Sequence, residues 1–352
     1  DTLKGASQMA AGLYFGIEIV NTGDDDKDED NVSFLSFYVG YSTWEGRCVF
    51  VDEVGQIDSQ NDAKDQLYLQ ILAKIAVSLG SKRLTWKRCP PHASWYDSNP
   101  VGPPDILQEL HVLHMDEEAM NAYVNYSEPS ERSTVSLDKT SLETRIKAIM
   151  ESPTASFNNN NNNNNDNNKK FSMRLADANN LEDAQAMERL VKGLAIYVKE
   201  PLEDILCDAS DYQVDGSGNY PLYYSFLLEP ETSHDEKSNK EQACGLAVVY
   251  FGHSYKGGRY LYLEDLFVDQ AYQHQGAGTL ALKVLTAVAL QMNCQSFQWL
   301  ALDWNLPALD LYQNKVGAKI QEGKKVTRYT DSKLEEFANG FSTTLAEMGG
   351  ST

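Results

Sequence analysis

The stretch Tyr260-Leu261-Tyr262-Leu263-Glu264-Asp265-Leu266-Phe267-Val268, followed by Asp269-Gln270-Ala271-Tyr272-Gln273-His274-Gln275-Gly276-Ala277-Gly278-Thr279, decides how this chain is read. The first part is rich in aromatic and branched side chains and reads as a buried strand. The second part carries two glycines and runs straight into the apolar segment Leu280 to Gln291, which reads as a long helix. Glycines between a strand and a helix let the backbone approach a ligand closely and turn several N–H groups outward. The helix start adds a partial positive charge, so the combination suits a pyrophosphate. A tight turn that serves only packing uses the same glycines, and the G-x-G spacing alone does not choose between the two.

Toward the C-terminus, Ser296 to Leu302 reads as a further strand. In Asp303-Trp304-Asn305-Leu306-Pro307-Ala308, Asn305 suits a helix cap and Pro307 its first turn. That helix carries Tyr312 and ends near Gly317-Ala318, where glycine fits a C-terminal turn. Toward the N-terminus, Phe171-Ser172-Met173-Arg174-Leu175 opens a strand, and Ala184, Met187, Leu190, Val191 and Leu194 recur at helical spacing.

Gln-x-x-Gly-x-Gly after a strand, then Trp-Asn-x-Pro-Ala and Leu-Tyr before Gly-Ala, resembles the GNAT acetyltransferase superfamily. Tyr262-Leu263-Glu264-Asp265-Leu266-Phe267-Val268, Met173-Arg174-Leu175-Ala176 and Leu194-Ala195-Ile196-Tyr197 with Lys199-Glu200-Pro201 resemble its diamine (spermidine/spermine) and thialysine N-acetyltransferase branch. The resemblance covers nearly all of Phe171 to about Ala338. It implies acetyl-CoA as co-substrate and a small amine as acceptor. It implies that the backbone of Leu266, Phe267 and Val268 runs beside the pantetheine arm. Gln273, His274, Gln275, Gly276, Ala277, Gly278 and Thr279 are then expected around the pyrophosphate, and Asn305 near the arm. Glu264 is expected to aid amine deprotonation, with Asp265 and Glu200 beside it on the amine, and Tyr312 to protonate the departing thiolate. An ammonium has no lone pair, so a nearby carboxylate has a chemical task. A phenol, with an unperturbed pKa near 10, is a suitable donor to a thiolate. The same residues also fit plainer roles: Asn305 as a cap, Glu264 and Asp265 as a strand end meeting a basic partner, Tyr312 as a core tyrosine. No metal is expected.

Three features depart from that family's pattern. Four residues separate Tyr312 from Gly317 where three are usual, a shift that would turn Tyr312 elsewhere. Val198 stands at a usually acidic position, and His253-Ser254-Tyr255-Lys256 replaces an acid and a tryptophan. Lys256 would weaken the binding of a polycation. A diamine, a polyamine, lysine and a thialysine-like amino acid therefore all stay open as substrates. So do a peptide lysine acceptor and a CoA- or polyamine-binding sensor without turnover.

The first half repeats the second in outline. Phe37-Tyr38-Val39-Gly40-Tyr41 with Trp44-Glu45-Gly46-Arg47 parallels Val249-Tyr250-Phe251-Gly252-His253 with Lys256-Gly257-Gly258-Arg259. Asp52-Glu53 follows the next strand as Glu264-Asp265 does, an apolar helix comes after each, and Trp86 matches Trp299. Met115-Asp116-Glu117-Glu118 and Thr330-Asp331-Ser332-Lys333 close the two series. This order argues for a tandem duplication. The expected fold class is α+β: two tandem GNAT-like domains, each a twisted mixed β-sheet flanked by helices. Residues 1–127 form a degenerate first copy, 128–170 an Asn-rich linker, 171–340 the catalytic domain and 341–352 a tail. Between Gly55 and Gln66 there are no paired glycines, and Asp58, Asp62 and Asp65 would oppose a pyrophosphate. The first copy is expected to pack on the second as an intramolecular partner, with Asp52 or Glu53 lining the amine channel and higher oligomers left open.

The 352 residues carry 51 acids against 30 bases, a formal net charge of -21. Such a surface repels phosphate backbones and anionic lipid, excluding nucleic acid and membranes as partners, and it attracts amines; solubility alone also accounts for it. Cys48, Cys89, Cys207, Cys244 and Cys294 are scattered without metal or disulfide spacing. A cytoplasmic location is expected, with a targeting segment left open because the chain begins at Asp1.

Overall fold

Strands and helices follow one another twice in the same order. In the computed structural model the described residues are 13–20, 32–54, 62–88, 101–124, 139–151, 171–231, 242–254 and 257–341. The asparagine run, Cys89, Lys256, Asp58 and the tail beyond residue 341 lie outside them. The first half runs β1 (Leu13–Val20), β2 (Val32–Ser42), β3 (Gly46–Val54), α1 (Asp62–Ser78), β4 (Arg83–Arg88), β5 (Asp105–Leu107), β6 (Leu110–Asp116) and α2 (Glu117–Val124). Helix α3 (Lys139–Glu151) comes next. The second half runs β7 (Phe171–Leu175), α4 (Leu181–Val198), α5 (Ala209–Gly216), β8 (Tyr224–Pro230), β9 (Gly245–Ser254), β10 (Gly258–Val268), α6 (Ala277–Gln291), β11 (Ser296–Leu302), α7 (Leu306–Asp310), β12 (Lys319–Ile320), β13 (Lys325–Thr330) and α8 (Asp331–Asn339).

These strands form two mixed sheets, ordered β1-β2-β3-β4-β13-β5 and β12-β6-β11-β10-β9-β8-β7. Taken from β8 backwards, the second order repeats the first. Strands β3 and β4 pair in parallel over four residues, Cys48–Arg83 to Val51–Trp86. Strands β10 and β11 do the same, Tyr260–Ser296 to Leu263–Trp299. Register against the preceding strand slips at Asp52 in one sheet and at Glu264 in the other. One bulge at an acidic residue in each sheet is strong internal support for duplication. Glycines match too: a Cβ on Gly40 would meet the Phe50 ring at 2.8 Å, and one on Gly252 the Tyr260 ring at 2.3 Å.

Each sheet takes one strand from the far half of the chain. Strand β13 lies between β4 and β5, and β6 lies between β11 and β12. All seven residues of β6 pair with β11, Leu110–Leu302 to Asp116–Ser296. The following helices are exchanged with their strands. Leu334, Phe337 and Ala338 of α8 join the core beneath α1, and Met120 of α2 joins the core around α6. Within the stretch expected to be linker, α3 buries Leu142, Ile146 and Ile149 in that second core. The bound at residue 127 therefore cuts a sequence, while each sheet draws on both sides of it.

A third core lies where the halves meet, and it is mostly aromatic. Tyr38 stacks on Phe50 at 5.0 Å, Phe50 lies 5.6 Å from Tyr250, and Tyr250 stacks on Tyr262 at 4.9 Å. Offset aromatic pairs add to the area they bury, so this contact favours one fixed arrangement of the halves.

Candidate active site

Pairing between β10 and β11 stops at Leu263–Trp299, although both strands continue. The bulge at Glu264 turns β10 away there, because an extra residue bends the strand that carries it. A cavity of about 580 Å³ opens in the resulting gap. Leu263 to Leu266 line one side, Trp299 to Leu302 the other, and Tyr312 lies between them. The family resemblance placed a pantetheine arm along Leu266, Phe267 and Val268. Leu266 lines this cavity and Val268 the next one, whereas the Phe267 side chain is buried on α4 near Gly193. Only the backbone of Phe267 is left to face a ligand.

A second cavity of about 510 Å³ continues from the first, and Asn305 lines both. Gln273, His274, Gly276, Gly278 and Thr279 line it. Gln275 and Ala277 do not: the Gln275 amide donates to the Ala271 carbonyl at 2.8 Å, and Ala277 is buried in the core. The Gln273 amide donates to the Val268 carbonyl at 2.9 Å, tying the loop to the end of β10. Gly276 has φ +99, a conformation glycine tolerates without strain, and it starts α6 with no side-chain cap. A Cβ on Gly278 would meet open space, so no protein atom fills the mouth of the helix there.

Asn305 stands at the start of α7 but makes no side-chain cap bond. Its Oδ1 accepts from the Tyr197 hydroxyl at 3.4 Å instead. Tyr197 and Lys315 also line the second cavity, and sequence reading missed both as site residues. A signal existed for Lys315, which lies four residues after Leu311 on the same helical face.

The additional residue after Tyr312 is absorbed locally. Residues Leu311–Lys315 form one π turn, and the Val316 N–H reaches the Leu311 carbonyl at 3.0 Å. A π turn is how a helix takes up one inserted residue without rotating the residues before it. Tyr312 consequently still faces the cavity, edge-on to Trp299 at 5.3 Å. Burial, with Tyr197 adding to it, pushes its hydroxyl up to about 12.

The acids at the bulge are held by the first half. Thr43 donates to Asp265, and Arg83 Nη2 lies 3.8 Å from Glu264 Oε1. Arg83 Nη1 donates to Glu45 Oε2 at 2.7 Å, and its guanidinium lies 5.6 Å from the Phe50 ring centre. The turn that carries Ser42 to Glu45 is anchored in return. Tyr212 donates to the Thr43 carbonyl and the Leu206 N–H to the Trp44 carbonyl, each at 2.7 Å, while Arg47 pairs with Asp215 at 2.7 Å. Burial raises Glu264 above the usual carboxylate range. Arg83 opposes that rise, while Asp265 and Glu45 add to it. Asp265 is raised as well, chiefly by burial, with the Thr43 hydroxyl working against it. Glu200 lines the cavity, joined by Glu203 and Asp204. The side chains of Asp52 and Glu53, expected at the amine channel, lie outside the described residues. The first-half residues found there are Ser42, Trp44, Glu45 and Arg83, with Leu107, Glu109 and Leu110. Among the described residues no His, Cys, Asp and Glu cluster could hold a metal, and no helix is long and apolar enough to cross a membrane.

The two strands thus splay at a bulged acid, with a glycine-rich helix start beyond it. The profile described as "Acetyltransferase (GNAT) family" matches residues 201–318. The bovine (Bos taurus) thialysine N-epsilon-acetyltransferase is 32% identical over 154 residues, 43% of this chain and 88% of that protein. The human (Homo sapiens) spermidine/spermine N(1)-acetyltransferase-like protein 1 is 31% identical over 170 residues, 48% of this chain. The chain spans only 24% of that human relative's length. A solved tandem GNAT protein from the clavulanic acid biosynthesis pathway overlays with TM-score 0.41 at 10% identity, covering 92% of this chain and 84% of that one. The chain belongs to the GNAT acetyltransferase family. The second cavity suits the diphosphate of the acetyl-CoA that such enzymes use: backbone N–H groups at an uncapped helix start, an unfilled space at Gly278, and Lys315 in the same lining.

Proposed function

We propose that the second half acetylates the primary amine of a small cationic substrate, using acetyl-CoA, in a cavity whose walls come from both halves. The observation that carries this reading is the location of Glu264 and Tyr312 on one cavity continuous with the helix-start cavity. Glu264 takes a proton from the incoming ammonium and frees its lone pair. The amine nitrogen then bonds to the acetyl carbonyl carbon and gives up its second proton to solvent, the carbon–sulfur bond breaks, and Tyr312 gives its proton to the departing sulfur. Glu264 returns a proton to Tyr312 through solvent and resets the site. Glu200, Glu203 and Asp204 draw the cation in. The π turn removes the feature that favoured a binding sensor without turnover.

Turnover of acetyl-CoA against free diamines, basic amino acids and a lysine peptide tests the reading. Free amines are expected to release coenzyme A, and the peptide to do so poorly. Glu264 must be ionised to accept a proton and its pKa is raised, so kcat/KM is expected to climb with pH beyond the ordinary carboxylate range. Glu264→Gln is expected to cost about 10²-fold and to erase that limb. Arg83→Met removes the cation that opposes the rise, moving the limb to higher pH. An unchanged limb in Glu264→Gln would remove Glu264 from this role.

A further inference from the structure

The reading above leaves the acceptor as any small cationic amine; resting on it, we infer that the acceptor also carries a carboxylate, bound where Arg83 and Arg328 meet on the first-half sheet. Strands β4 and β13 are neighbours, with Arg328 opposite Thr85 and Thr330 opposite Arg83. Directly opposed residues share a face, so both arginines and both threonines look the same way. Arg83, Arg328 and Thr330 line the large cavity.

This corner holds donors without acceptors. Arg83 Nε, Arg328 Nε and the Thr85 hydroxyl are all buried with no hydrogen-bond partner among the described residues. Thr85 is only 4% exposed. Buried polar groups are almost always satisfied, so two unsatisfied guanidinium Nε groups on arginines that both line the cavity point to a ligand's acceptor atoms. Charge points the same way. Glu45 lies between the two guanidiniums, 2.7 Å from Arg83 and 4.0 Å from Arg328. Beyond it, among the described residues, Arg83 reaches only Glu264, at 3.8 Å, the group engaged with the amine. No second carboxylate of the described residues comes within ion-pair distance of Arg328, although Glu109 and Asp331 line the same cavity. A guanidinium fork matches a carboxylate bidentately.

The arginines are also particular to this cavity. By sheet register, the second sheet has Ser296 where the first has Arg83, and His114 where it has Arg328. One comes from the first half and the other arrives on the exchanged strand. Glu200, Glu203 and Asp204, which line the same cavity, suit ammonium groups. A basic amino acid offers both charges at once. A polyamine would bring a second cation against two guanidiniums.

The test uses the full chain and pairs of acceptors that differ only in the carboxylate: L-lysine with cadaverine, and L-ornithine with putrescine, plus lysinamide. Each amino acid is expected to exceed its decarboxylated partner at least tenfold in kcat/KM, and lysinamide to behave like cadaverine. Arg328→Gln is expected to bring the ratio toward one, mainly by raising KM for the amino acid, and Arg328→Lys to restore part of it. Calorimetric binding of lysine and cadaverine, without acetyl-CoA, runs beside the kinetics. A binding preference for lysine with no turnover of any amine would keep the subsite and overturn the acetyl-transfer reading. Diamine turnover equal to or better than that of amino acids would overturn the subsite and keep the transfer reading. Equal loss on both acceptors in Arg328→Gln also overturns the subsite. Neither binding nor turnover overturns both.

Discussion

Deleting residues 1–150 is expected to abolish a cooperative fold in the remaining chain, because the second sheet is built around a strand that the deletion removes. Strand β6 fills the position between β11 and β12, and no other strand of the second half is free to take it without abandoning the first sheet. Val112, Leu113, Met115 and Met120 leave the core with it. Full burial of such side chains contributes about 1.5–3 kcal/mol each, so four of them match the whole stability of an ordinary domain, about 5–15 kcal/mol. Loss of α3 from the same core adds to the deficit. The deletion further uncovers Tyr250, Tyr260 and Tyr262, which now pack against Tyr38 and Phe50. Thermal melting and size-exclusion chromatography of the shortened protein check this. A soluble, monomeric and fully active product would contradict the shared architecture.

The other large effect is expected at Tyr312. Tyr312→Phe keeps the ring against Trp299 and removes only the hydroxyl, so the fold and the affinity for acetyl-CoA should persist. The hydroxyl is pushed up to about 12 by burial and therefore keeps its proton at neutral pH. A thiolate leaving without that proton must find one from water. General acids of this kind contribute about 10²–10⁴-fold, and a loss of that size is expected in kcat with KM little changed. Steady-state kinetics on the full chain separate the two parameters. A tenfold rise in KM with kcat intact would instead make Tyr312 a binding residue.

Much of the site was legible because its signals are local. A strand, two glycines and an apolar helix in immediate succession leave few ways to arrange Leu266 to Thr279, and cavity lining follows from that order. Gln275 and Ala277 failed to line the cavity for an equally local reason: on a helix start, neighbouring residues point in different directions, and these two point into loop and core. The repeat was legible from ordered matches. The strand exchange was not. Strands β6 and β13 occupy matching places in the two sheets and have similar alternation, so the pattern of either suits either sheet. Arg83 looked like an ordinary strand residue in a degenerate copy, since its importance comes from a partner, Glu264, far along the chain. The π turn was equally hidden, because an insertion shows in spacing while the way it is absorbed depends on what the helix packs against.

The account rests on one diphosphate site, at the start of α6, in a chain with two copies of the fold. Calorimetric titration of the full chain with coenzyme A tests it most directly. Saturable binding of about one nucleotide per chain is expected, since the first half has no paired glycines in its sequence before α1. Gly278→Asp puts a carboxylate in the open space there; an acid in a helix's first turn is favourable by about 0.3–1 kcal/mol, so the fold should hold while binding is lost. Two nucleotides per chain, none, or undiminished binding in Gly278→Asp would contradict the assignment.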